Sequence, residues 1–203
     1  MRALTEDEFE REAKRVYEQV FNSTSAFEMP FVASIPARAI LFPIHYIMEK
    51  PFRRALMKAA KDLNEESFYL SVLERPPAEK QDRAYHWHIG FKEVDLYESL
   101  GYPFVLENAI YSDRGIWGLM FSHEGHAVIG GPDDFLESVI KALPDGMKHV
   151  EKFIEHWKGN QARFGSDLEW VRKLLNHVYP DGIPEQLLSK DATNSADGNK
   201  ERR

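Results

Sequence analysis

FVLENAIYSDRGIWGLMFSHEGHAVIGG, running from Phe104 to Gly131, is the one long stretch of this chain with the pattern of a β-meander. Asp113-Arg114-Gly115 has turn chemistry, with glycine where a three-residue hairpin loop needs a positive φ. Glu124-Gly125 reads as a second turn of two residues. These turns imply a register in which Ser112 faces Ile116, Tyr111 faces Trp117 and Ala109 faces Leu119. His123 then faces His126, and Phe121 faces Val128. Side chains alternate along a strand, so Trp117, Leu119, Phe121 and Val128 share one face, and Ile110, Met120, Ala127 and Ile129 the other. Both faces are apolar, which predicts a sheet covered on both sides.

Helical patterns lie on either side of the meander. Thr5 and Glu8 have the spacing of a capping box, opening a helix to about Phe21 with Phe9, Ala13, Val16, Tyr17 and Val20 on one stripe. Pro30, Pro36 and Pro43 make the next segment extended, with an edge strand around Ala39–Phe42. Pro51 opens a helix to about Asn64. Alternation then predicts strands over 67–74 and 84–91, separated by the charged loop PPAEKQDR, and a short helical turn over 94–100. After the meander, Asp133 or Asp134 caps a helix to about Leu143. Pro144-Asp145-Gly146 is a turn, and a helix over about 145–158 turns Met147, Val150, Phe153, Ile154 and Trp157 inward. Ser166 and Glu169 have the spacing of another capping box, opening a helix to Val178. The order of elements predicts an α+β fold: an antiparallel meander sheet of four to six strands flanked by N-terminal and C-terminal helices. Residues 1–189 read as one globular domain. From Lys190 onward no large apolar residue occurs, so 190–203 reads as a disordered tail.

Composition narrows the function classes. The 203 residues are 43% hydrophobic and 12% aromatic, the signature of an ordered globular chain. A net charge of −7 argues against general nucleic-acid binding and suits a basic protein partner. The absence of cysteine excludes disulfides and thiolate chemistry. The charged N-terminus lacks the apolar core of a signal peptide, and no apolar run reaches membrane-spanning length, so a cytoplasmic protein without a membrane segment is expected.

Four histidines could carry chemistry. His86 and His88 project from one face of a strand, and His123 and His126 bracket the second turn with Glu124 between them. Imidazoles and a carboxylate suit zinc or iron(II), so His86, His88, His123 and His126 make up the metal-enzyme reading of this chain. Against it, such histidines are commonly the polar side of amphipathic strands. H-x-H followed by Glu93 is similar to the first metal-binding motif of cupins, but the flanking glycines depart from that family's spacing and no second motif follows. HEGH is one residue short of the zinc helix motif and holds a turn glycine. No G-x-S-x-G elbow or cofactor loop occurs. His149 and His156 read as solvated helix positions, and Glu65-Glu66 and Asp133-Asp134 as caps or solvated faces. Tyr85, Trp87 and Trp117 are the candidate lining of a small-molecule pocket.

The pattern W-G-x-x-x-S-x-E-G-x-A-x-x-G-G, Trp117 through Gly131, followed by D-x-F-L, resembles small bacterial α+β proteins, some of them of the toxin-immunity type. The resemblance spans about twenty residues, mostly turn and core positions, and implies a stoichiometric binder with an acidic surface. The expectation is therefore a non-catalytic protein, of the immunity or inhibitor kind, that binds a protein partner without cofactor or metal. The metal enzyme and a small-molecule sensor are the alternatives.

Overall fold

The computed structural model describes residues 1–44, 49–74, 84–100, 107–143 and 148–183, apart from the side chains of 96–99. These residues contain a sheet of β1 (Arg2–Leu4), β2 (Ala37–Leu41), β3 (Ser67–Val72), β4 (His86–Gly90), β5 (Asn108–Ser112), β6 (Gly118–Phe121) and β7 (Ala127–Gly131). Every pairing is antiparallel, in the spatial order β1-β4-β3-β5-β6-β7-β2. With the helices that cover it, the chain is α+β. The sheet has seven strands rather than four to six, because β1 and β2 close its two edges.

The helical elements follow the sequence closely. The Thr5–Glu8 capping box is present, and α1 (Glu6–Glu8) continues through a π-helical turn (Phe9–Ala13) into α2 (Lys14–Val20). Pro51 sits in the first turn of α3 (Lys50–Asp62). A 3-10 helix spans Phe91–Leu100. After the meander come α4 (Asp133–Ala142), α5 (His149–Phe164) and α6 (Glu169–Val178). Gly165, left-handed at φ +68, ends α5 six residues later than the apolar pattern predicts. The Ser166–Glu169 capping box does not form; Asp167 Oδ1 instead accepts the Glu169 N–H at 2.9 Å. The turn at 144–146, the loop at 76–83 and the tail from 190 lie outside the described residues.

The meander is displaced by one residue at each turn. Ile110 pairs with Leu119 and Tyr111 with Gly118, so the first loop holds four residues and Ser112 faces Trp117. Met120 pairs with Val128 and Phe121 with Ala127. The second loop thus holds three residues, ending on Gly125 at φ +71. Trp117, Leu119 and Phe121 share a face as expected, but their neighbours there are Ile110, Ala127 and Ile129, while Val128 joins Met120.

Both faces are covered, which the two-sided apolar pattern requires. α3 and α4 pack on the face of Phe68, Leu70, Trp87, Ile110, Leu119 and Ile129. The N-terminal helices, α5 and α6 pack on the face of Tyr69, Tyr111, Met120, Val128 and Ile40. Gly118 and Gly130 face each other across β6 and β7 on that second side. A Cβ on Gly118 would stand 2.5 Å from both Val20 and Phe21 at the end of α2, and one on Gly130 would stand 2.8 Å from Ile35, so each glycine lets a neighbour lie flat on the sheet. Gly118→Ala is expected to cost roughly 1–3 kcal/mol as an overpacked core does. Denaturant unfolding measures this; an unchanged midpoint would show that α2 can move aside.

Candidate functional site

The four histidines do not form one site. His86 and His126 both point toward the α5–α6 side of the sheet, but β4 and β7 are four strand spacings apart, about 19 Å. Among the described residues no group of three or more His, Asp or Glu is placed to hold a metal ion. Each histidine is instead tied into its own surroundings. His86, 4% exposed, meets Ser71 Oγ at 2.8 Å through Nδ1, and that hydroxyl lies 3.0 Å from the Tyr111 hydroxyl. Phe9 stacks on its ring at 3.7 Å. His88 Nε2 is 3.0 Å from Ser67 Oγ, whose hydroxyl donates to Asp113. The serine proton being committed to the carboxylate, His88 donates from Nε2; burial lowers its pKa and favours this neutral form. His123 is bound to Glu107 through Nδ1 at 2.7 Å.

His126 is fully buried. Its Nε2 donates to the Ala26 carbonyl at 3.2 Å, and its Nδ1 accepts from the Ser122 hydroxyl at 2.8 Å. That pattern requires the neutral imidazole, and burial holds its pKa down at about 4.

The aromatic trio lies on one side of the sheet, in or against its apolar core. Trp117 is fully buried, stacked on Phe135 at 5.4 Å, and Trp87 lies in the same core between the sheet and α3. Neither they nor Tyr85 line the surface clefts described here. Glu65 is no solvated cap. It follows α3, is 3% exposed, and accepts the Trp117 Nε1–H at 2.7 Å and the Ser112 hydroxyl. Burial raises its pKa against the opposing pull of these two donors. His149 is not a solvated helix position either: its Nδ1 lies 2.9 Å from the Phe42 N–H and 2.8 Å from the Phe42 carbonyl, at the edge of the sheet.

No protein-family model matches this sequence, and no curated protein or solved structure is significantly similar to it. A cleft of about 720 Å³ opens between the 22–29 loop and the start of α6. The loop is pinched by the Asn22 N–H on the Pro30 carbonyl at 2.9 Å and a bridge between Phe21 and Phe31. Within it, Ser23 Oγ accepts the Ser25 N–H and Ser25 Oγ accepts the Phe27 N–H, the local turns that serine favours. Phe27 is pinned by ring contacts to His126, His123 and Trp170 at 5.2, 4.9 and 5.0 Å.

Trp170 stacks on His126 and meets Trp157 edge-on, so the cleft wall rests on rigid aromatic packing. The cleft lining carries Glu28, Asp167, Glu169 and Lys173, and Glu169 is paired with Arg172 at 2.9 Å. Met29, which lines the cleft, is 57% exposed; Phe164, three residues before Asp167, is 77% exposed. Among the described residues these are the two exposed large hydrophobic side chains. None of this was marked in the sequence. Met29 falls in the segment expected to be extended, and Phe164 lies beyond the expected helix end near 158; it is the last residue of α5, before the left-handed cap Gly165.

Proposed function

We propose that this chain is a non-catalytic binding protein, of the immunity or inhibitor kind, whose contact surface is the acidic cleft between the 22–29 loop and α6. The observation that carries the reading is Met29, 57% exposed, in the lining of a cleft that also holds Glu28, Asp167 and Glu169 against Lys173. Methionine and aromatic side chains ringed by polar groups are the composition of interface cores, where a few anchors supply most of the affinity. The fitting partner is a protein segment with an apolar anchor flanked by lysine or arginine. The carboxylates steer its approach, and Met29 and Phe164 hold it. The bacterial immunity-type resemblance over Trp117–Gly131 supports the same class, since it too implies a stoichiometric binder with an acidic surface.

Affinity capture from the native host, with the unaltered chain and the variant Met29→Ser/Phe164→Ser/Glu169→Lys as parallel baits, tests this. A basic partner held by the first bait and lost from the second is expected, with binding that weakens as salt rises above about 0.15 M. A partner retained equally by both baits would overturn the assignment of the cleft.

A further inference from the structure

The charge of this chain is segregated. α3 holds five basic residues and one acidic, a net +4, within a chain of net −7, so all other residues together carry −11. The exposed side chains from Lys50 to Lys61 are Lys50, Pro51, Arg54, Lys58 and Lys61, all basic apart from the proline. They recur every three or four residues and so line one face over about 16 Å of helix. Beside them α3 and the 3-10 helix enclose a groove of about 430 Å³. Its lining adds the cation Arg53, the acids Asp62 and Asp95, and the apolar Met57, Phe91 and Val94.

This stripe opposes the intrinsic preferences of a helix. The first turn of α3 holds Lys50 and Arg53, with Glu49 at the N-cap as the acid that the helix dipole favours there. Lys50, Arg54 and Lys58 form successive like-charge pairs four residues apart, each unfavourable. Two of the cations are paired: Lys58 is 3.8 Å from Asp62, and buried Arg53 is 3.4 Å from Asp95. Among the described residues Lys50, Arg54 and Lys61 have no carboxylate at ion-pair distance. Local choices that lower stability without a compensating contact mark functional surfaces.

We infer that the α3 stripe and its groove are a second docking surface, independent of the acidic cleft, and that it takes an acidic amphipathic peptide segment of a partner protein. Charge complementarity calls for carboxylates along the stripe. The apolar floor calls for side chains that can be buried, which favours a peptide over a nucleic-acid backbone.

The test uses the full chain and a labelled acidic amphipathic peptide of Glu and Leu, roughly twelve residues long to match the stripe. At low salt the peptide is expected to bind, and Arg54→Glu/Lys58→Glu/Lys61→Glu to weaken it by about tenfold or more, as loss of several complementary charges should. Lys141→Glu/Lys158→Glu, equally exposed but elsewhere, should leave binding unchanged. A Glu and Gly peptide of equal charge should bind several times more weakly. Failure of the Glu and Leu peptide to bind, or equal binding by the stripe variant, would overturn the inference. So would tighter binding of a single-stranded oligonucleotide of similar length, which would make the surface a nucleic-acid site.

Discussion

Trp117→Ala is expected to lower the free energy of unfolding by roughly 3–5 kcal/mol, the range for large aromatic truncations in cores. The side chain is fully buried and stacked on Phe135, so its removal leaves a cavity that α4 and β6 cannot close without breaking their own packing. It also takes away the Nε1–H that Glu65 accepts, leaving a buried carboxylate with the Ser112 hydroxyl as its remaining side-chain donor. Trp117→Phe separates the two effects, since it keeps most of the ring and loses the N–H. It should cost about 1–3 kcal/mol, the desolvation penalty of an unmet buried polar group. Denaturant unfolding of both variants checks the pair. A loss below about 1 kcal/mol for the alanine variant, the scale of a surface change, would contradict the buried position.

Acid should loosen the fold through His126. Its pKa falls from 6.5 in the unfolded chain to about 4 in the folded one, because burial penalises the charged imidazole. A depressed pKa means the unfolded chain takes up the proton first. The stability that His126 contributes is therefore complete above pH 6.5 and is lost as pH falls toward 4, a change of roughly 3 kcal/mol. His177, also held at about 4 by burial, acts in the same direction. Glu65 acts oppositely: its pKa is raised, so its contribution is complete at low pH and is lost as pH rises through the folded value. Comparing the chain with His126→Gln isolates the histidine. The variant should be clearly less stable at pH 7, and the gap should narrow steadily between pH 6.5 and 4. A gap independent of pH would contradict the neutral, doubly hydrogen-bonded imidazole.

The sequence carries the element order and the two-sided burial, because alternation and helical stripes are local signals. It does not carry the register. Gly115 and Gly125 are correctly placed as turn residues, both with φ near +71, but a positive-φ glycine fits several loop lengths. With both faces apolar, hydrophobicity cannot reject a one-residue slip, so Val128 was assignable to either side. β1 is only three residues long and exists through pairing with β4. Glu65 illustrates a harder limit: a carboxylate just past a helix looks solvated until the Trp117 indole, fifty-two positions away, is brought to it. The candidate cleft is of the same kind. Its two sides, the 22–29 loop and the start of α6, meet only through Phe27, His126 and Trp170 in the folded chain.

Amide hydrogen exchange on the chain alone and with its captured partner tests most directly whether the acidic cleft is the contact surface. Partner-dependent protection over residues 22–29 and 164–173, lost in Met29→Ser/Phe164→Ser/Glu169→Lys, is the predicted result. Protection confined to other elements, with the cleft exchanging as in the free chain, would contradict it.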